Sequence, residues 1–112
     1  MVTSEQAFDM LPYAVDIYEK LNIKEYAIEK AQEAKKSGKD ANAIQTEVGE
    51  DIIKYIVKNS PKVKTEFFSI VAVACKKTLA EVKKQPPAET IKVFMEVFRD
   101  KDLLDFFKGG ME

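Results

Sequence analysis

The chain has 112 residues, of which 46% are hydrophobic and 33% charged, a composition that argues against wholesale disorder and fits one globular domain. It contains no histidine and a single cysteine, so an internal disulfide, Ser-His-Asp and Cys-His catalytic sites and a Cys/His zinc site are excluded. The formal net charge is −1 and only Arg99 among the 18 basic residues is an arginine, which makes nucleic acid an unfavoured partner.

The N-terminus lacks basic residues, and no apolar run approaches the ~20 residues of a membrane span. We therefore expect a soluble cytoplasmic protein without a membrane partner. Apolar residues recur every three or four positions and strand-like alternation is almost absent, which predicts an all-α fold.

The first predicted helix covers about residues 4–21, with Ser4 as its N-cap. Pro12 inside this segment removes a backbone donor, so we expect a kink near Phe8 or, alternatively, a new helix that starts at Pro12. The helix carries two neighbouring apolar stripes: Phe8, Leu11, Val15 and Tyr18, and beside them Met10, Ala14, Ile17 and Leu21.

A second helix is predicted over about residues 23–36, and its thin apolar face predicts the weakest packing in the molecule. Asp40 should cap a third helix over about residues 41–59. Gly49 in the middle of this helix should cost about 1 kcal/mol relative to alanine. The main apolar face of the third helix is Ile44, Val48, Ile52 and Ile56.

Ser60 and Pro61 predict a helix start, with serine as the N-cap and proline at the first helical position. The helix that follows, over about residues 61–76, is apolar nearly all round, which is typical of a helix buried among several neighbours. Cys75 near its end should be a small buried thiol. We therefore predict one compact domain, residues 1–112, of about five to seven helices around this central helix.

Thr78 and Glu81 have the spacing of a capping box, which predicts a short helix after Thr78. The proline pair at residues 86 and 87 forces a bend, and a helix over about residues 87–99 follows. Asp100 should cap a final short helix that stops at the glycine pair, leaving residues 109–112 as a flexible tail. A helix this short is marginal alone, so its leucines and phenylalanines must pack on the chain's own core or on a partner.

Charge is balanced overall but not along the chain. Residues 1–53 carry 6 lysines against 11 acids, residues 54–84 carry 8 lysines against 2 acids, and residues 85–112 carry 4 basic groups against 6 acids. The basic segment 54–84 is a solvated lysine face, or it pairs copies of the chain head to tail or captures an acidic partner. The acidic trio Glu47, Glu50 and Asp51 is a candidate metal site, but three acids on one exposed surface are more often solvated, and we expect no metal or cofactor.

Several segments together resemble tail assembly chaperones, small helical proteins encoded by tailed bacteriophages and prophages of AT-rich Gram-positive hosts. The likeness spans most of the chain except residues 24–38. It is carried by residues 8–19 (FDMLPYAVDIYE), 52–60 (IIKYIVKNS), 66–72 (EFFSIVA), 78–82 (TLAEV), a proline-initiated helix and 102–107 (DLLDFF).

The resemblance implies a non-enzymatic protein that binds the long helical tape-measure protein and keeps it soluble until tail-tube subunits replace it. The candidate partner-binding residues come from this chain alone, as a groove or plug for a partner helix; the other interpretation is that they complete the protein's own core. They are Met95, Phe98, Leu103, Leu104, Phe106 and Phe107.

Two other functions stay open at this point. The first is a small transcriptional regulator or anti-repressor that binds nucleic acid or a protein through the basic segment 54–84. The second is a carboxylate metalloenzyme built on the acidic trio. Self-association of the chain is compatible with each of these functions and with the chaperone.

Overall fold

The computed structural model describes residues 2–111, which form seven α-helices and one 3₁₀ turn and contain no strand. The all-α prediction, with five to seven helices, is confirmed. The elements are α1 (Ser4–Lys20), α2 (Ile23–Lys36), α3 (Ala41–Lys58), the 3₁₀ turn (Ser60–Val63), α4 (Lys64–Cys75), α5 (Leu79–Lys84), α6 (Pro87–Arg99) and α7 (Lys101–Met111).

The most apolar helix, α4, lies at the centre of the fold, as predicted. It packs against α1, α5 and α6, and Phe67, Ile70 and Val71 are buried among them. Its start differs from the prediction, because Ser60 makes no side-chain cap and the chain first forms a 3₁₀ turn. The Lys62 amide donates to the Asn59 carbonyl at 2.9 Å, a three-residue bond, and the α-helix begins only at Lys64.

All seven phenylalanines of the chain form one continuous series of ring contacts, which we call the aromatic series. Its closest contact joins α4 to α6, where the Phe67 and Phe94 rings stack with centroids 3.9 Å apart. The order along the series is Phe68, Phe67, Phe94, Phe98, Phe107, Phe106 and Phe8. The series therefore ties α1, α4, α6 and α7 together.

Helix α1 is one uninterrupted helix, so the alternative of a new helix at Pro12 is wrong; the kink stays a prediction. Proline leaves the carbonyl of Phe8 without its usual donor, and this is tolerated because residue 8 is exposed to water. The N-cap is Thr3 rather than Ser4, since Thr3 and Gln6 form a capping box. The Gln6 amide also donates to the Val73 carbonyl at 2.9 Å, which joins α1 to α4.

Helices α2 and α3 pack against each other as a hairpin, which contacts the rest of the protein at α1, α6 and the 3₁₀ turn. Asn22 begins it with a left-handed φ of 52°, and the turn between the helices contains Gly38 at φ 78°. Only Ile23 and Ala34 of α2 are buried, consistent with the weak packing expected of its thin apolar face. The Asp40 side chain caps α3 as predicted, by accepting a hydrogen bond from the Ala43 amide at 2.8 Å.

Helices α5 and α7 begin at the N-caps that the sequence predicts. Thr78 and Glu81 form the capping box of α5, and the Asp100 carboxylate accepts from the amides of Asp102 and Leu103 at the start of α7. The predicted stop at the glycine pair is wrong, because α7 continues to Met111. Glycine weakens a helix by about 1 kcal/mol but does not end it unless a left-handed residue is required.

Of the tail predicted over residues 109–112, only Glu112 lies outside the described residues. Cys75 is half-buried rather than buried, because it lies in the last turn of α4, next to the left-handed Lys76. No helix in the part of the chain described here is long and apolar enough to cross a membrane.

One ion pair connects α1 to the central helix. Lys20 Nζ lies 2.7 Å from Glu66 Oε2, and the Glu66 side chain is 8% exposed against 56% for Lys20. The hydrogen bond from Lys20 is the main reason why the pKa of Glu66 lies below its usual value, against the opposing effect of burial. The stability that the Lys20–Glu66 ion pair contributes is therefore fully present at pH values above the ordinary glutamate pKa. It is lost as the pH falls through the lowered pKa of Glu66 in the folded protein.

We predict that Glu66→Gln lowers the free energy of unfolding at pH 7 by about 1 kcal/mol and reduces its dependence on pH below the ordinary glutamate pKa. Urea denaturation at several pH values measures both effects. Glu50→Gln is the matched control, because Glu50 pairs with Arg99 at the exposed surface and should cost at most about 0.5 kcal/mol. Equal losses at pH 7 and pH 3 in Glu66→Gln would contradict the assignment.

A second prediction concerns Gly49, where a Cβ atom would meet nothing within 4 Å. Gly49→Ala should therefore raise the free energy of unfolding by about 0.5–1 kcal/mol, since alanine restricts the unfolded chain and favours the helix. Gly38→Ala provides the contrast, because its left-handed φ of 78° should make the same substitution destabilising. Chemical denaturation of the two variants tests the opposite signs.

Candidate functional site

An open groove with a volume of ≈ 1140 Å³ lies between the α2–α3 hairpin and helices α1, α6 and α7. We call it the hairpin groove. It is lined by Val15, Tyr18 and Glu19 of α1; Asn22 before α2; Ile23, Lys24, Glu25, Ala27, Ile28 and Ala31 of α2; Ile44, Gln45, Val48, Gly49, Ile52 and Ile53 of α3; Phe98 of α6; and Leu104 and Lys108 of α7.

The lining of the hairpin groove is mainly aliphatic. Ile44, Val48 and Ile52 follow one another at four-residue spacing along α3 and are half-buried. Ile28 of α2 is 50% exposed and adds accessible apolar surface to this lining. From Ile44 to Ile53 the α3 wall is about 14 Å long at 1.5 Å per residue, enough to accommodate two to three turns of a partner helix.

Charged side chains of both signs border this apolar lining. Glu19, Lys24, Glu25 and Lys108 are all exposed, and they come from three different helices. A groove with an apolar lining and a mixed charged border favours a partner helix that is apolar on one side and polar on the other. It does not favour a ligand of a single charge.

The structure divides the six predicted partner-binding residues. Leu104 and Phe98 line the hairpin groove, although Phe98 is almost fully buried beneath it. Leu103 and Phe107 are buried in the hydrophobic core. Met95 and Phe106 are partly buried against that core. The six residues therefore do not form one surface, because Leu103 and Phe107 of α7 belong to the core.

Sequence reasoning missed the residues on the hairpin side of the groove. It assigned the Ile44, Val48 and Ile52 face of α3 without identifying what covers it, and it did not single out Ile28. One feature of the sequence could have indicated the groove. The two apolar stripes of α1 are together wider than the surface that one contact with the core requires. In the structure the stripe of Met10, Ala14, Ile17 and Leu21 is buried. Of the other stripe, Val15 and Tyr18 line the groove, whereas Phe8 and Leu11 do not.

A smaller pocket of ≈ 290 Å³ lies on α4, α5 and α6. We call it the α4–α6 pocket. Its apolar lining includes Phe67, Phe68 and Val82, and the lysines Lys64 and Lys83 also line it. No acidic residue lines it among those described; the remaining lining residues are Ser60, Pro61, Gln85, Pro87, Thr90 and Ile91.

The acidic trio does not form a metal centre in the described residues. Glu47 pairs with Lys39, and Glu50 accepts two hydrogen bonds from Arg99 at 3.0 and 3.1 Å. No group of three or more His, Cys, Asp or Glu side chains within residues 2–111 is arranged to hold a metal ion.

The lysines of the basic segment 54–84 are all exposed and are distributed over several elements. They are Lys54 and Lys58 of α3, Lys62 of the 3₁₀ turn, Lys64 of α4, Lys76 and Lys77 after α4, and Lys83 and Lys84 of α5.

Comparisons of the chain with protein-family models, with curated proteins and with solved structures found no match.

The buried and half-buried rings of α7 make the role of this helix testable. Phe107→Ala should lower the free energy of unfolding by about 3–5 kcal/mol, because Phe107 is fully buried and its loss leaves a cavity. Phe106→Ala should cost clearly less, since its ring is partly exposed and contacts the exposed Phe8. Thermal denaturation compares the two; equal losses would contradict the division of α7 into a core side and an outer side.

Proposed function

We propose that this protein is a non-enzymatic tail assembly chaperone of a tailed bacteriophage or prophage. It binds helical segments of the tape-measure protein in the bacterial cytoplasm and is later replaced by tail-tube subunits. The resemblance in the sequence is one support, and the hairpin groove is the observation that carries the proposal.

The hairpin groove supports this function because it presents apolar surface that the chain itself leaves partly uncovered. Ile28 of α2 and Ile44 and Val48 of α3 can contact the apolar side of a partner helix. Ile44 and Val48 lie one helical turn apart on α3. A long helical partner offers many such stretches, and each occupied stretch would keep apolar side chains of the partner out of water.

Mixed charge at the border of the groove supports reversible binding. Lys24 and Glu25 lie at the exposed edge, where ion pairs contribute little affinity and remain sensitive to salt. A chaperone that must release its partner during assembly needs an interface of this kind. The binding free energy then comes from a few aliphatic contacts.

Co-expression with the tape-measure protein encoded in the same genome tests the proposal. The wild type should co-purify with it and keep it soluble. Ile28→Asp and Ile44→Asp should each weaken binding tenfold or more, a loss of at least about 1.4 kcal/mol, because a charge is placed in the apolar lining.

Leu79→Asp is the matched control, since Leu79 is half-buried at the start of α5 and lines neither cavity. An acid in the first turn of a helix is tolerated, so this variant should bind normally. Absence of binding by the folded wild type, or a gene neighbourhood without tape-measure and tail-tube genes, would refute the proposed function.

A further inference from the structure

The two ends of the aromatic series reach the surface on different parts of the molecule. At one end Phe8 of α1 is 63% exposed and is held edge-on against Phe106, with ring centroids 5.0 Å apart. At the other end Phe67 and Phe68 line the α4–α6 pocket. No residue of α1 or α7 is found in that pocket among the side chains that the structure describes, and the exposed Phe8 ring of the same chain does not line it.

The α4–α6 pocket is large enough for one phenyl ring. Its volume of ≈ 290 Å³ exceeds the roughly 150 Å³ of an apolar protein cavity that binds benzene. An incoming ring would contact mainly the half-buried Phe68 and the exposed Ile91, because Phe67 and Val82 are almost fully buried beneath the pocket. A contact between two aromatic rings adds to the stabilisation that comes from the buried area.

Charge around the two ends is complementary. Glu5 and Asp9 lie beside Phe8 on α1, and both are exposed. Lys64 and Lys83 line the pocket without an acidic residue among its described lining. The exposed ring of Phe8 is thus flanked by negative charges, and the pocket is flanked by positive charges. The two surfaces of the same molecule are therefore electrostatically complementary.

We propose that Phe8 of one copy of this chain inserts into the α4–α6 pocket of a second copy, with Glu5 and Asp9 near Lys64 and Lys83. The aromatic series then continues from one molecule to the next. The contact is heterologous, because ring and pocket are different surfaces, so repetition of it produces closed rings or open filaments. Phe8 does not line the hairpin groove, and the α4–α6 pocket shares no lining residue with that groove. The proposal is therefore independent of the proposed function.

The association is weak, because one anchoring side chain and a few exposed ion pairs fall below the size of a stable interface. We expect a dissociation constant on the order of 10–100 µM at low salt and weaker association at 0.5 M salt. Sedimentation velocity of the wild type from about 5 to 500 µM should show a weight-average mass that rises with concentration beyond a dimer.

Two variants remove the two sides separately. Phe8→Asp removes the ring, and Lys64→Glu combined with Lys83→Glu reverses the charge of the pocket. All three side chains are exposed, and circular dichroism verifies that each variant folds. Each variant should be monomeric at 500 µM. A mixture of the two should form a dimer and nothing larger, because it contains one intact pocket and one intact ring that can meet.

Lys36→Glu combined with Lys101→Glu is the matched control. It changes the net charge by the same amount at exposed lysines outside the pocket and the groove, and it should associate like the wild type. A monomeric wild type at 500 µM would overturn the proposal and leave the pocket to a side chain of another protein. Association that persists in Phe8→Asp, or a mixture that stays monomeric, would overturn it equally.

Discussion

The contact between Phe67 of α4 and Phe94 of α6 is the interaction on which the rest of the structure depends. The two rings stack at 3.9 Å in the middle of the core, and Phe98 and Phe107 extend the stack to α7. Since α7 is too short to be stable alone, its position follows from these rings.

Much of the helical framework was predictable because it depends on local chemistry. The caps at Asp40, Thr78 and Asp100 follow from side chains that accept hydrogen bonds from amides two or three residues away. Local chemistry also misled at Gly109, where glycine was expected to end a helix that in fact continues. A glycine stops a helix only when the surrounding structure requires a left-handed residue, as at Gly38.

The sites were less predictable, because they depend on which apolar face is left uncovered. The sequence of α7 places two leucines and two phenylalanines together, but only the packed structure separates buried Phe107 from half-buried Phe106. The hairpin groove arises in the same way. Helix α2 has too few apolar residues to close over the Ile44 and Val48 face of α3, and that deficit is a property of two elements together.

The small buried surface of α2 has a consequence for the motion of the protein. With only Ile23 and Ala34 buried, detaching this helix exposes far less apolar surface than unfolding the body does. Amide hydrogens of α2 would then exchange with solvent through local opening, well before those of α4. Because α2 forms one wall of the hairpin groove, such local opening would widen the groove while the aromatic core stays intact.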